Sequence, residues 1–289
     1  MLQLAMRAVL IVSVFFAFGR AHEVRARPAK VVSINACTDQ LLFALADRDQ
    51  IAALSIYAAD LALSTQAQAV RESGVRLIQG NAEEVLRLKP DLVLAGSFTR
   101  RATREWLAQE DIRVETFPAA DSVEATKDAI IRMAALLGHP GRGADMVAEI
   151  DAALAELQSG GARISVLQVQ RRAFTSGTET LLGDLVNRSG LVNAAGQLGV
   201  KSVNRTSLEA IVKLRPDVLI VSSEAPLAVD QGSALLLHPA IASRYPASRR
   251  IVMPENLLVC GGPSLPQAIR HFARQVRGVR ALMSANTLR

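Results

Sequence analysis

DSVEATKDAIIRMAALLGHPGRGADMVAEIDAALAEL, residues 121–157, is the stretch that decides the fold. It contains two runs in which apolar side chains recur at spacings of three, four and seven residues, a pattern that predicts two helices with one apolar stripe each. Gly138-His139-Pro140-Gly141 separates the runs, and proline suits the first turn of the second helix. That helix, of about 18 residues, would be roughly 27 Å long. We expect it to form a spine along two lobes rather than an element inside one.

The sequences on either side of this spine repeat each other. EEVLRLKPDLVLAGS, residues 83–97, precedes it, and EAIVKLRPDVLIVSS, residues 209–223, follows it at a constant offset of 126. Each copy predicts a helix, a Pro-Asp turn and a buried strand of aliphatic residues. The sequence therefore predicts two α/β lobes that arose by internal duplication.

Strands and helices alternate on both sides of the spine, which predicts parallel sheets covered by helices. In the first lobe we expect strands at 30–34, 51–54, 76–78, 92–95 and 112–117. In the second we expect strands at 164–169, 218–221 and 250–253, with helices at 180–188 and 266–283. We divide the chain into a signal peptide at 1–21, an N-terminal lobe at 22–138, a spine helix at 139–160 and a C-terminal lobe at 161–289.

The first 21 residues have the pattern of a secretory signal. Arg7 supplies a positive charge, and residues 8–18 form an apolar run too short to span a bilayer comfortably. Small residues at the −3 and −1 places favour cleavage before His22, and an uncleaved N-terminal anchor is the alternative. Cys37 is too far from the apolar run to carry a lipid. We expect a periplasmic protein that is not lipid-anchored.

Composition argues against nucleic-acid binding. The formal net charge is +6, but the basic residues are scattered without a run of five, and aromatic residues make up only 4% of the chain. Nucleic-acid binding proteins usually show a clustered basic face or stacking aromatics. The 289 residues, half of them hydrophobic, suit two domains with sizeable cores.

Several segments resemble one protein family. VSINACTDQLL at 32–42 resembles the start of the substrate-binding proteins of bacterial ABC importers for ferric siderophores, haem and cobalamin. The paired KPDLV (89–93) and RPDVL (215–219) segments, FTSGTETLL (174–182) and CGGP (260–263) are similar to the same family. The resemblance covers about residues 28–283.

The resemblance implies the class III, helical-backbone architecture: two Rossmann-like α/β lobes with parallel sheets, a rigid helical spine, and a ligand cleft between the lobes. It also implies no catalysis. The expected ligand is a ferric siderophore or cobalamin, with no resident cofactor. The expected partner is an ABC permease dimer with its ATPase. The binding protein itself is expected to be a monomer.

Ligands of open parallel sheets bind outside the carboxyl ends of the strands, so the loops there hold the candidate ligand-binding residues. Tyr57 and Phe98 would supply aromatic walls. Arg171 and Arg172 would pair with carboxylates or phosphates of an anionic ligand. The full candidate set is Asn35, Cys37, Thr38, Asp39, Gln40, Tyr57, Ser97, Phe98, Thr99, Arg171, Arg172, Thr175, Ser223, Cys260 and Gly261.

Cys37 and Cys260 are the only cysteines, and both lie in loops expected at the cleft. In an oxidising compartment two cysteines suggest a disulfide, which would here join the two lobes. Cleft thiols that contact a ligand or soft metal, and inert buried cysteines, are the alternatives.

Glu83 and Glu209 occupy matching positions in the two repeats. The resemblance implies that an acidic residue on each lobe docks onto basic pockets of the permease, and a two-fold partner offers two equivalent cationic sites. Glu84 competes with Glu83 for this role. The alternative is that these side chains only cap or solvate their helices.

Other functions find less support in the sequence. The four histidines are scattered without ligands at metal-binding spacing, so we predict no metal site, and no Gly-x-Ser-x-Gly motif is present. Two alternatives to the importer hypothesis stay open. One is an exported hydrolase or chelatase-like enzyme on a similar frame, and the other is a ligand-sensing partner of a membrane receptor.

Overall fold

The computed structural model describes residues 27–157, 160, 163–223 and 234–287. The expected signal peptide at 1–21 lies outside these residues. The N-terminal sheet consists of five parallel strands in the order β3-β2-β1-β4-β5. These are β1 (Val31–Ser33), β2 (Ile51–Ser55), β3 (Leu77–Ile78), β4 (Leu92–Gly96) and β5 (Val114–Phe117).

The C-terminal sheet consists of four parallel strands in the order β11-β10-β6-β8. These are β6 (Ser165–Gln168), β8 (Val192–Asn193), β10 (Val218–Val221) and β11 (Arg250–Val252). Beside it lies a two-stranded antiparallel ribbon of β7 (Phe174–Ser176) and β9 (Val203–Arg205). The ribbon was not expected from the sequence, whereas the two parallel sheets confirm the predicted α/β class.

Helices connect the strands within both lobes. In the first half of the chain they are α1 (Ala36–Leu45), α2 (Ala67–Glu72), α3 (Ala82–Leu88), α4 (Arg101–Gln109), α5 (Val123–Leu137) and α6 (Pro140–Ala155). In the second half they are α7 (Leu181–Arg188), α8 (Leu208–Leu214), α9 (Ala234–Leu237), α10 (Pro239–Ala242), α11 (Glu255–Leu258) and α12 (Leu265–Thr287). Within the described part of the chain, no helix combines the length and the apolar character needed to cross a membrane.

The duplicated segments form the same structure in both lobes. Helices α3 and α8 each have seven residues, and each starts at a capping side chain: Asn81 accepts from the Glu84 amide, and Ser207 from the Ala210 amide. Both helices end at a left-handed residue that precedes proline, Lys89 at φ 47° and Arg215 at φ 52°. A residue before proline is disfavoured in the α region, so the helix stops there.

The aspartate of each Pro-Asp pair holds the neighbouring central strand in place. The Asp91 carboxylate accepts hydrogen bonds from the amides of Ala29 and Lys30 at 3.0 and 2.9 Å, just before β1. Asp217 accepts in the same way from the Ser165 amide at 2.8 Å, at the start of β6. The repeated Pro-Asp pair thus both ends a helix and fixes the position of the strand beside it.

Helices α5 and α6 are the two helices predicted within residues 121–157, and they pack closely against each other. Gly138, at φ 80°, ends α5, and Pro140 begins α6. The close approach depends on Gly143, because a Cβ atom there would lie 2.5 Å from the Cβ of Ala134. Helix α6 also packs against α12, and so connects the two lobes.

Among the described residues, the core consists of three hydrophobic clusters. One cluster belongs to the N-terminal sheet and α3, and a second to the C-terminal sheet and its outer helices. The third and largest is shared: it contains Val31 and Leu92 of the first sheet, Val166 and Ile220 of the second, and the buried faces of α5, α6 and α12. Each lobe therefore has a core of its own on one face and a common core on the other.

A buried carboxyl ties α1 to β2. Asp39 is completely buried, and its carboxyl accepts hydrogen bonds from the backbone amide (3.1 Å) and the hydroxyl of Ser55. Loss of hydration raises the pKa of Asp39 from 3.8 to about 7, although the hydrogen bonds from Ser33 and Ser55 act in the opposite direction. The folded protein thus holds a proton here that the unfolded chain releases near pH 4.

Gly143→Ala is expected to lower the free energy of unfolding by about 1–3 kcal/mol, because the added methyl group forces α5 and α6 apart. Gly141→Ala, two residues earlier in α6, is the matched control: a Cβ there meets nothing within 4 Å. Its better helix propensity makes it neutral or stabilising by up to about 1 kcal/mol. Urea denaturation measures both, and equal effects of the two changes would contradict the close packing.

Asp39 is expected to make stability fall as the pH rises. Between its unfolded and folded pKa values the folded state binds more protons, so raising the pH from 4.5 to 7.5 costs about 3 kcal/mol at this group. Asp39→Asn cannot titrate and should remove this slope. Unfolding curves of both proteins between pH 4.5 and 7.5 measure this slope. If the free energy of unfolding varies with pH in the same way for both proteins, Asp39 is not the cause of the slope.

Candidate functional site

A pocket of about 260 Å³ opens at the carboxyl ends of the N-terminal strands, against α5. Its walls come from the segments after β1, β4 and β5, from α5, and from the segment that joins α11 to α12. The lining residues are Asn35, Ala36, Cys37, Thr38, Leu41, Gly96, Ser97, Phe98, Phe117, Pro118, Ala119, Ala120, Thr126, Ala129, Val259, Cys260 and Gly262. The pocket thus lies between the N-terminal lobe and a segment of the C-terminal lobe.

Asn35 begins α1 and faces this pocket. Its side-chain oxygen accepts a hydrogen bond from the Cys37 amide at 3.0 Å, which caps the helix. The end of β4 must be glycine for this arrangement, because a Cβ atom on Gly96 would lie 2.5 Å from the Asn35 amide group. With its oxygen used for the cap, Asn35 presents its amide nitrogen as a donor for a ligand.

Two phenylalanines give the pocket its aromatic surface. Phe98 is 87% exposed, although it sits in the pocket wall. Phe117 is buried, and the Arg132 guanidinium stacks 4.4 Å from the centre of its ring. The exposure of Phe98 is typical of a binding surface, since a bound ligand would cover this large apolar side chain.

A second pocket, of about 430 Å³, adjoins the first. It is lined by Gln170, Arg172, Phe174, Glu255 and Val259, and Val259 belongs to both pockets. Arg172 adopts φ 58°, and its carbonyl accepts from the side chain of Arg205 at 3.2 Å. We term the two pockets, which share Val259, the cleft: the first is mainly apolar, and the second carries one Arg and one Glu side chain.

Cys37 and Cys260 form a disulfide bond with a Cα–Cα distance of 5.0 Å. Of the three alternatives that the sequence leaves open, the structure therefore contains the disulfide that joins the lobes. Both half-cystines line the apolar pocket, so the bond is part of its wall.

Three candidate residues are buried in the fold and line neither pocket. Asp39 is bonded to Ser55, as described above. Gln40 donates to the Leu63 carbonyl at 3.1 Å, and Thr175 donates to the Gln168 carbonyl at 2.6 Å. The sequence predicts loop positions for all three, but Asp39 and Gln40 lie in α1 and Thr175 lies in β7, where burial and internal hydrogen bonds direct their side chains into the structure.

Four other candidates, Tyr57, Thr99, Ser223 and Gly261, line neither pocket. Tyr57, 49% exposed, follows β2, and Ser223 lies exposed after β10. The Thr99 hydroxyl accepts from the Gly96 amide at 3.1 Å and shapes the turn after β4. Gly261, at φ 64°, packs against α5, since a Cβ there would be 2.8 Å from the Thr126 hydroxyl. The side chain of Arg171 lies outside the described part of the structure, within a 3-10 turn.

Sequence reasoning missed the segment after β5 and the contribution of α5. Pro118, Ala119 and Ala120 follow a strand that was predicted, so the rule about carboxyl ends would have found them. Thr126 and Ala129 lie on a helix assigned a purely architectural role, and no sequence signal marks them as lining residues.

Glu83 and Glu209 line neither pocket; both are exposed in the first turns of α3 and α8. Hydrogen bonds from its own backbone amide and from Ser207 lower the pKa of Glu209, so this carboxylate stays ionised. Among the described residues, no group of three or more His, Cys, Asp or Glu side chains is placed to hold a metal ion.

Comparison with solved structures identifies the fold. The periplasmic heme-binding protein RhuT from Roseiflexus sp. RS-1 matches with a TM-score of 0.70 at 23% identity, over 87% of this chain and 98% of that one. The periplasmic vitamin B12 binding protein BtuF of Vibrio cholerae matches with a TM-score of 0.66 at 15% identity, over 88% and 98%. At these identities the matches show a shared fold.

Sequence comparison identifies the family. A "Cobalamin-binding protein" from Halobacterium salinarum is 30% identical over 215 residues, 72% of this chain. The chain spans 58% of the length of the curated relatives it matches. The sequence profile described as "Periplasmic binding protein" matches residues 31–247. The chain belongs to the periplasmic binding protein family, which is a family of binding proteins rather than enzymes.

Proposed function

We propose that this protein is the solute-binding component of an ABC importer, and that it captures a corrinoid or a ferric siderophore in the cleft between its lobes. The observation that carries the proposal is the cleft itself: an exposed phenylalanine and the side-chain amide of Asn35 line the apolar pocket at the ends of the parallel strands, and the polar pocket shares Val259 with it. The name of the Halobacterium salinarum relative supports a corrinoid as one of the two ligand classes.

The chemistry of the lining favours a chelate whose metal arrives with its coordination shell complete. Both cysteines are bonded to each other, and the described lining residues of the two pockets include no His, Tyr or Met. Residues 224–233, EAPLAVDQGS, lie outside the described structure, and their sequence adds none of these types. Tyr57 is an exposed tyrosine in the segment after β2 and thus a candidate iron ligand, which makes Tyr57→Phe the critical variant for haem.

We propose that export to the periplasm precedes binding, with residues 1–21 as the signal. Delivery would then use the exposed carboxylates of Glu83 and Glu209. They occupy equivalent positions in equivalent helices, as a two-fold permease requires. Glu83 is 72% exposed and its contact to Arg87 is 3.9 Å, so it is available to a partner cation.

Titration of residues 22–289 with cyanocobalamin, hemin, a neutral ferric trihydroxamate and a ferric triscatecholate is expected to give one-to-one binding of one chelate, at about 1 μM or tighter. Calorimetry measures it, with Trp106 fluorescence as a second signal. Phe98→Ala should weaken binding about tenfold or more, because it removes an apolar surface that the ligand covers. Leu282→Ala, an exposed apolar site outside both pockets, is the matched control.

If the folded protein binds none of the four chelates, the importer proposal is contradicted for these ligands. Tight hemin binding that is lost in Tyr57→Phe would retain the importer function and overturn the argument about a complete coordination shell.

Charge reversal at the docking carboxylates is expected to block delivery and leave capture unchanged. Glu83→Arg and Glu209→Arg should each reduce ligand uptake through the permease, and the double variant should abolish it, since like charges then meet on both lobes. Uptake into cells that express the cognate permease and ATPase measures this. Glu149→Arg, exposed on α6, controls for net charge; an equal loss there would overturn the assignment.

A further inference from the structure

Residues 255–262, which we term the cleft wall, leave the C-terminal sheet after β11 and end on the N-terminal lobe. The wall contains α11 and the turn that follows it. Its covalent anchor is the bond from Cys260 to Cys37, at the first turn of α1. A segment of one lobe is thus attached to the other at the mouth of the cleft.

Weaker contacts place the wall against the same lobe. The Asn256 side chain donates to the Leu61 carbonyl at 3.1 Å. Gly262 packs on α1, where a Cβ would be 3.2 Å from Leu41. The Ser264 hydroxyl contacts the carbonyls of Leu257 and Gly261, both at 3.0 Å, and holds the turn in shape.

Four residues of the wall line the pockets, and Val259 is the one that lines both of them. It is 45% exposed, and it is the residue shared by the apolar pocket and the polar pocket. Its neighbour in sequence is the bonded Cys260, so the disulfide limits how far Val259 can move. A ligand that fills both pockets therefore contacts Val259.

We propose that the disulfide locks the cleft wall onto the N-terminal lobe. The lobes then cannot separate on this side, and Val259 becomes a fixed partition that selects ligands able to reach both pockets. The hydrogen bond of Asn256 is exposed, so water competes with it for the same groups. The covalent bond joins residues 223 positions apart and has no such competitor. The statement about ligand selection rests on the proposed function; the locking does not.

Hydrogen exchange tests the lock without any ligand. In the double variant Cys37→Ser, Cys260→Ser, the amides of 255–262 and of the first turn of α1 are expected to exchange about tenfold faster or more, because the wall can then open locally. Amides of α6 and β4 should keep their rates and serve as internal controls. Unchanged exchange in the wall would overturn the proposal, and so would a uniform increase throughout the chain, which would mean that the bond acts on global stability.

Asn256→Ala keeps the proposal testable if the double variant fails to fold. With the disulfide intact, exchange should rise only around residue 256 and not at 259–262. Faster exchange over the whole wall would show that the hydrogen bond, rather than the disulfide, is the lock.

Val259→Ala tests the partition with the chelate that binds in the titration above. Enlarging the passage should reduce the preference for that chelate over the other panel members by about tenfold, so that a chelate without measurable binding to the parent protein gains measurable affinity. Unchanged relative affinities would overturn the role of Val259, whereas the importer proposal would still stand on the binding itself.

Discussion

The close packing of α5 against α6 is the contact on which the arrangement of the lobes depends. It is possible only because Gly143 faces Ala134, so that the two backbones approach without an intervening side chain. Around it, the largest hydrophobic cluster takes residues from both sheets and from α12. Moving the lobes apart would expose part of this shared core to water, at roughly 25 cal/mol per Å² of apolar surface. The spine therefore restrains the lobes thermodynamically, in addition to connecting them.

The duplicated Pro-Asp unit explains how each lobe presents its strands to the cleft. Proline ends a short helix, and the adjacent aspartate binds the amides at the start of the neighbouring central strand. The carboxyl ends of the strands in each lobe are thereby set at one edge, where ligands of parallel sheets bind. The same unit leaves Glu83 and Glu209 in the first turns of matching helices, exposed and away from the pockets.

The two pockets of the cleft differ in polarity because different residues line them. Phe98, Phe117 and the disulfide make one end apolar, whereas Arg172 and Glu255 make the other polar. Such an arrangement suits a ligand with both an apolar and a polar part, since apolar area contributes affinity and the polar groups orient the ligand. Val259 stands where the two ends meet.

The sequence by itself determined the α/β class, the duplication, and the two helices of the spine, because hydrophobic periodicity and Pro-Asp punctuation are local properties of the chain. It also predicted Asn35, Ser97, Phe98 and Cys260 as ligand-binding residues, because they follow strands.

Only the tertiary structure decided which of the predicted residues face the cleft. Asp39 and Thr175 were expected in cleft loops, yet they lie in α1 and β7, where burial and hydrogen bonds with Ser55 and Gln168 turn them inward. The Cys37–Cys260 disulfide and the position of Thr126 in the pocket wall both depend on contacts between residues far apart in the chain. Hydrophobic periodicity is a local property and does not predict such contacts.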